Sequence, residues 1–173
     1  MLTRQLSLSA PIIFFVYLFQ EAVVNQFKLP GGGFSLFMIF ALLWAVISTP
    51  EIAALTGFAA GILMDMSQSS GGPVGQWTLI MILVCYGVSY LGYGDGNING
   101  NPIGVIFFVV TANLGAKISF LISGILLGVA TGSFSQILLT LVGNSIWTIV
   151  ITPIVLPVFS YLHNLVFETR SSL

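Results

Sequence analysis

Pro50-Glu51-Ile52-Ala53-Ala54-Leu55-Thr56-Gly57-Phe58-Ala59-Ala60-Gly61-Ile62-Leu63-Met64-Asp65 is the stretch whose reading decides the fold. Ala53, Gly57, Gly61 and Asp65 recur every fourth residue, so a helix gathers them into one stripe. Thr49 suits the N-cap, Pro50 the first helical position and Glu51 the positive end of the helix dipole. Small residues at this spacing let a second backbone come close, which is how helices associate where no water drives them together. The stripe is therefore either an internal packing seam or a docking surface for a partner helix. Asp65, at its end, either faces water or is aimed at a neighbouring helix or cavity.

The rest of the chain shares this character. Its 173 residues are 57% hydrophobic and 5% charged, with a mean hydropathy of +1.06. So few charges cannot cover a water-facing surface. A hydrocarbon core about 30 Å thick needs roughly 20 helical residues per crossing, so a chain of this length crosses about five to seven times. The apolar runs lack strand-like alternation, and backbone amides in lipid must be paired within the segment, which favours helices over a barrel. The expected fold is all-α: a polytopic membrane bundle forming a single domain over 1–173. Breaks at Gly, Pro and polar clusters place spans at about Ser9 to Phe27, Phe34 to Ser48, Pro50 to Met66, Gln76 to Leu91, Ile103 to Gly128 and Phe134 to Leu162. Ser133 with Gln136 fits a capping box for the last span, and Pro153 and Pro157 are expected to kink it. Spans two and three are short enough to form a hairpin that stops before one surface.

Near-neutral charge gives no basic face for nucleic acid. A lone cysteine, Cys85, cannot form an internal disulfide and reads as core packing; with one histidine, His163, no metal-ligand cluster is expected. The run from Pro11 to Phe19 continues into Gln20, Glu21, Asn25 and Gln26 without a small-residue cleavage site, so it reads as a retained span. An even span count puts both termini on one side. Arg4 and Arg170 favour the cytoplasm for them, against Lys28 in an opposite loop. The polar linker Gly92 to Pro102 falls on the cytoplasmic side.

Within the spans, Glu21 and Lys117 lie at similar depth, each one helical turn from an amide, Asn25 and Asn113 respectively. They form either a structural pair that fixes helix order or a buried site for an ion, proton or polar substrate. Asn144 is expected to hydrogen-bond across helices. Trp44, Trp77, Tyr90, Tyr93 and Tyr161 fall near span ends, as interfacial anchors do, and His163 is read as a solvated residue beyond the last span. No nucleophile–base pair, phosphate loop or paired carboxylates make a catalytic set, so no enzyme and no cofactor are expected.

Gly57 to Asp65, then Gly72-Pro73-Val74-Gly75, then an apolar helix carrying Tyr86 and Tyr90, resemble the MreD family of rod shape-determining membrane proteins. The match covers about Gly57 to Leu91; Asn144 and the prolines Pro153 and Pro157 of the last span also look like that family. The resemblance implies a non-enzymatic scaffold in the bacterial cell-elongation machinery of the cytoplasmic (inner) membrane, supporting rod shape and lateral peptidoglycan synthesis. Its implied partners are a bitopic MreC-like protein, a RodA-type glycosyltransferase with its penicillin-binding transpeptidase and, indirectly, MreB filaments. The architecture also looks similar to substrate-binding subunits of energy-coupling-factor transporters. That alternative needs a cavity that Glu21, Asp65, Asn113, Lys117 and Asn144 could line.

Overall fold

The computed structural model describes residues 2–27, 33–67, 72–94, 101–129 and 133–167, and over these residues the chain is all-α, with no strand. Helix α1 is Leu2–Ala22 and runs through Pro11. A 3-10 turn, Val24–Gln26, follows. Then come α2, Leu36–Ile47, α3, Pro50–Met66, and α4, Gln76–Gly94. The chain ends with α5, Pro102–Leu126, and α6, Phe134–Phe167. The first helix begins well before the expected Ser9 and its α-helical part stops at Ala22 rather than Phe27. Beyond Ala22 the backbone tightens into i→i+3 bonds, Gln26 N to the Val23 carbonyl and Phe27 N to the Val24 carbonyl, both at 3.1 Å, as helix ends commonly do. The last helix extends past the expected Leu162 to Phe167 and carries Pro153 and Pro157 within it.

Helix α2 sits at the centre. Every residue from Phe37 to Val46 is buried, as a helix that is apolar all round must be. At 12 residues it is only about 18 Å long, and α1, α3, α4, α5 and α6 all pack against it. Trp44 is therefore completely buried, tilted against Phe40 and edge-on to His163, not an interfacial anchor. Trp77 is also buried and stacks on Phe120 with ring centroids 4.3 Å apart. Tyr90 and Tyr161 are exposed. Cys85 is fully buried in the core.

The helix starts differ from the sequence expectation in two places. Thr49 makes no side-chain cap; its carbonyl accepts from Ala53 N at 2.9 Å. Ser133 accepts from Gln136 N through its backbone carbonyl while its hydroxyl lies 3.2 Å from Ser135 Oγ, so no capping box forms. Ser35 and Asn101 do cap, accepting from Met38 N at 3.2 Å and Ile103 N at 3.1 Å.

Among the described residues two helices, Pro102–Leu126 and Ser135–Val166, are long and apolar enough to cross a membrane. Only 17% of the second one's apolar window is buried within the bundle, so most of its Leu, Ile and Val face outward. The expected Lys28 loop, Asp95 to Gly100 and Arg170 lie outside the described residues.

Candidate functional site

The small-residue stripe lies against α4. A Cβ added to Gly57 would overlap the Met81 carbonyl, and one added to Gly61 would overlap the Thr78 backbone. Ala53, Gly57 and Gly61 are all buried. Asp65 then closes the hairpin. Its Oδ2 accepts from Gly75 N at 3.0 Å, Thr78 N at 3.0 Å and Thr78 Oγ1 at 2.6 Å, and its Oδ1 accepts from Trp77 N at 3.0 Å. One carboxylate thus satisfies several of the amides that every helix start leaves orphaned, and it also sits at the positive end of the α4 dipole. In this chain the stripe is an internal seam and Asp65 is the cap of α4.

A polar cavity of about 260 Å³ opens where α2 begins. All six helices contribute to its wall, with Glu21, Asn25, Ser35, Ser67, Lys117 and Asn144 among the polar groups. Gln20 builds its α2 side: Oε1 accepts from Leu36 N at 2.8 Å and Phe37 N at 3.3 Å. A side chain from α1 therefore caps the central helix across the bundle. On the α5–α6 side, Asn113 Nδ2 donates to Asn144 Oδ1 at 3.0 Å and Thr148 Oγ1 at 2.8 Å, and Asn144 Nδ2 donates to the Gly33 carbonyl at 2.8 Å. These amides tie α5, α6 and the entry to α2 together.

Glu21 and Lys117 line this cavity without forming the ion pair considered above. Glu21 Oε1 accepts from Ser67 Oγ at 2.6 Å. Lys117 makes no hydrogen bond or ion pair among the described residues. Neither neighbouring amide serves its charge, because Asn25 accepts from Gln20 and Asn113 faces Asn144 and Thr148. A double-mutant cycle on lipid-stripped protein checks this arrangement: with Glu21→Gln and Lys117→Met, the thermal-stability changes should add to within about 0.5 kcal/mol. A structural pair would instead show partial rescue in the double variant, since one unpaired buried charge is worse than none.

The far end of α2 holds a second polar cluster. Ser48 Oγ lies 3.0 Å from His163 Nε2, and Ser89 Oγ donates to the Ser48 carbonyl at 2.6 Å. His163 is thus a buried residue within α6 that meets the α2 terminus, not a solvated residue beyond the helix. On α4, Gln76 Nε2 donates to the Phe120 carbonyl at 2.8 Å and Ser123 Oγ at 2.7 Å, which joins α4 to α5 beside the cavity. Gln20, Ser48, Gln76 and His163 had no role in the sequence reading beyond their place near breaks. One usable signal was present: polar residues flanking a 12-residue helix with no polar residue of its own.

The cavity offers one carboxylate, one amine, amides and hydroxyls, a set suited to holding a polar solute. Among the described residues no group of three His, Cys, Asp or Glu side chains could hold a metal ion. Comparison of the chain with protein-family models, curated proteins and solved structures returns no match.

Proposed function

We propose that the chain is a multi-pass protein of the bacterial cytoplasmic membrane, with six membrane-embedded helices, both termini in the cytoplasm, and a non-enzymatic scaffolding role in the cell-elongation machinery. The outward-facing apolar side chains of α5 and α6 support the membrane setting, since so polar-poor a perimeter has no stable place in water. Helices α1, α3 and α4 complete the bundle around the buried α2.

The observation that carries the scaffolding role is the surroundings of α1. An apolar groove of about 440 Å³ lies between α1 and α3, lined by Ile13, Phe14, Leu55 and Phe58. Another of about 650 Å³ lies between α1 and α6, lined by Phe15, Phe19, Val155 and Val158. Each is an apolar depression that can receive side chains from the helix of a bitopic partner, and the resemblance of Gly57 to Leu91 points to an MreC-like protein, with the RodA-type synthase behind it. A photo-crosslinker placed at Phe15 or Phe58 should capture that bitopic protein in cells, while one at the exposed Tyr86 of α4, a helix that lines neither groove, should not. Capture of no elongation protein from either groove sinks the scaffolding reading.

The polar cavity favours a second reading, a membrane subunit that binds a small molecule. Its support is the pair of opposite charges, Glu21 and Lys117, that share one cavity wall without neutralising each other. In a low-dielectric interior such charges are costly unless something completes them.

A further inference from the structure

Lys117 belongs to two cavities. Besides the polar one at the α2 start, it lines a cleft of about 410 Å³ together with Trp77, Phe120, Ile137, Thr140 and Leu141. Those residues come from α4, α5 and α6, so the cleft lies among these three helices, whereas the polar cavity draws its wall from all six. Trp77 and Lys117 form the shared wall. Lys117 lies about 14 Å inward from the nearer end of α5 at 1.5 Å per residue, too deep for its amine to be satisfied by bulk water alone.

Four observations constrain what fits. The polar chamber holds a carboxylate, Glu21, whose Oε1 is held by Ser67 while Oε2 has no hydrogen bond among the described residues. The boundary holds an amine with no partner among them. The backbone amides at the α2 start are already taken by Gln20 and Ser35, so they do not compete for an anion. The cleft is lined mainly by apolar side chains. A ligand that satisfies all of these carries an ammonium group for Glu21, an acidic group for Lys117 on the cleft side of it, and an apolar portion lying between α5 and α6. A purely anionic ligand would leave Glu21 unmet and repelled; a purely cationic one would do the same to Lys117.

We propose that the two adjacent chambers, which meet at Trp77 and Lys117, bind a zwitterionic amphiphile of the phosphatidylethanolamine type, its ammonium at Glu21, its phosphate at Lys117 and an acyl chain in the α5–α6 cleft. This deepens the small-molecule reading of the cavity and rests on the membrane placement of the bundle. Polar volume of about 260 Å³ is room for roughly eight waters at 30 Å³ each, enough for an ethanolamine phosphate and a few bridging waters. The same charges could take a free zwitterion from water; the apolar cleft is what favours a lipid.

The test is thermal stability and native mass spectrometry of the purified full chain in detergent, with added dioleoyl phosphatidylethanolamine, dioleoyl phosphatidylglycerol or water-soluble O-phosphoethanolamine. The expected result is retention of one phosphatidylethanolamine and a rise in melting temperature that phosphatidylglycerol does not match. Lys117→Met should weaken retention at least about tenfold, and Glu21→Gln should shift preference towards phosphatidylglycerol, as loss of one partner of a buried charge contact does. Ile137→Trp fills the cleft without touching either charge and should also reduce retention, so the proposal stays testable if the charge variants fold poorly. Protection by O-phosphoethanolamine equal to that by the lipid overturns the lipid assignment. Equal stabilisation by the two lipids, or retention unchanged in all three variants, overturns the site. Protein that fractionates without detergent would instead fail the membrane reading, a separate result from loss of lipid preference in a membrane-bound protein.

Discussion

Gly61→Leu leaves no folded protein, and Gly61→Ala alone costs about 3 kcal/mol. An added Cβ at this position meets the Thr78 Cα and N and the Trp77 carbonyl, all of them backbone atoms. A flexible side chain could swing away, but a neighbouring helix must move as a body, and overpacking of this kind typically costs 1–3 kcal/mol or more for a small increment. Gly57 behaves the same way against the Met81 carbonyl. Gly115, on α5, supplies the control, because nothing lies within 4 Å of a Cβ built there. Gly115→Ala should be neutral or slightly stabilising, by up to about 1 kcal/mol, from the helix preference of Ala over Gly. Fluorescence-detected size exclusion for yield and thermal denaturation for stability separate these cases. If Gly61→Ala matches Gly115→Ala, the α3–α4 contact is looser than its geometry.

That seam is legible as a stripe in the sequence, because a four-residue repeat of small side chains has one physical use in an apolar setting, close helix approach. What the repeat could not reveal was the identity of the facing helix. Close approach fits a neighbouring helix of the same chain or a partner equally well, and only the overlap with Met81 and Thr78 assigns it to α4. The boundaries of α3 were readable from Thr49-Pro50-Glu51 and from the polar turn after Met66. The end of α1 was not, since the switch to a 3-10 turn after Ala22 falls in a run that no Gly or Pro breaks.

Residues at helix ends misled for a shared reason. Trp44 and His163 stand near polar breaks, where interfacial residues are common, so sequence position alone gives them a wet surface. Both are buried because α2 is enclosed by the other helices. The length of α2 held the clue: an apolar helix of 10–14 residues is more often a buried core helix than a crossing one. With the helix inside, its polar ends need partners from other helices. Gln20 and Asn144 meet one end, and His163 and Ser89 meet the other. Counting along the chain gave Glu21 and Lys117 similar depths as an expectation, but whether two charges meet across a bundle depends on helix rotation. Here rotation leaves both on the wall of one cavity without contact.

Asp65→Ala should destabilise the protein by about 2–4 kcal/mol without changing, per folded molecule, the partner capture that the proposed scaffolding role requires. The carboxylate accepts from the backbone N–H groups of Gly75, Trp77 and Thr78 and from the Thr78 hydroxyl. Loss of an N-cap costs about 0.5–2 kcal/mol, and bonds to a charged acceptor are worth more than neutral ones. The site is partly open, so water recovers some of that loss, which keeps the figure well below the sum of four separate bonds. Asp65→Asn divides the effect. Its single oxygen can occupy the Oδ2 position and keep three donors, but the amide nitrogen then faces the Trp77 N–H, donor against donor. Asparagine should therefore lie between aspartate and alanine in melting temperature, with the missing charge at the α4 dipole adding up to about 1 kcal/mol to its deficit. Partner capture, measured per folded molecule, should stay at the wild-type level in both variants. A variant that melts like the wild type but loses capture would move Asp65 from the cap of α4 to a docking surface. The opposite pattern, lowered melting with capture intact, is what four hydrogen bonds into a neighbouring helix require.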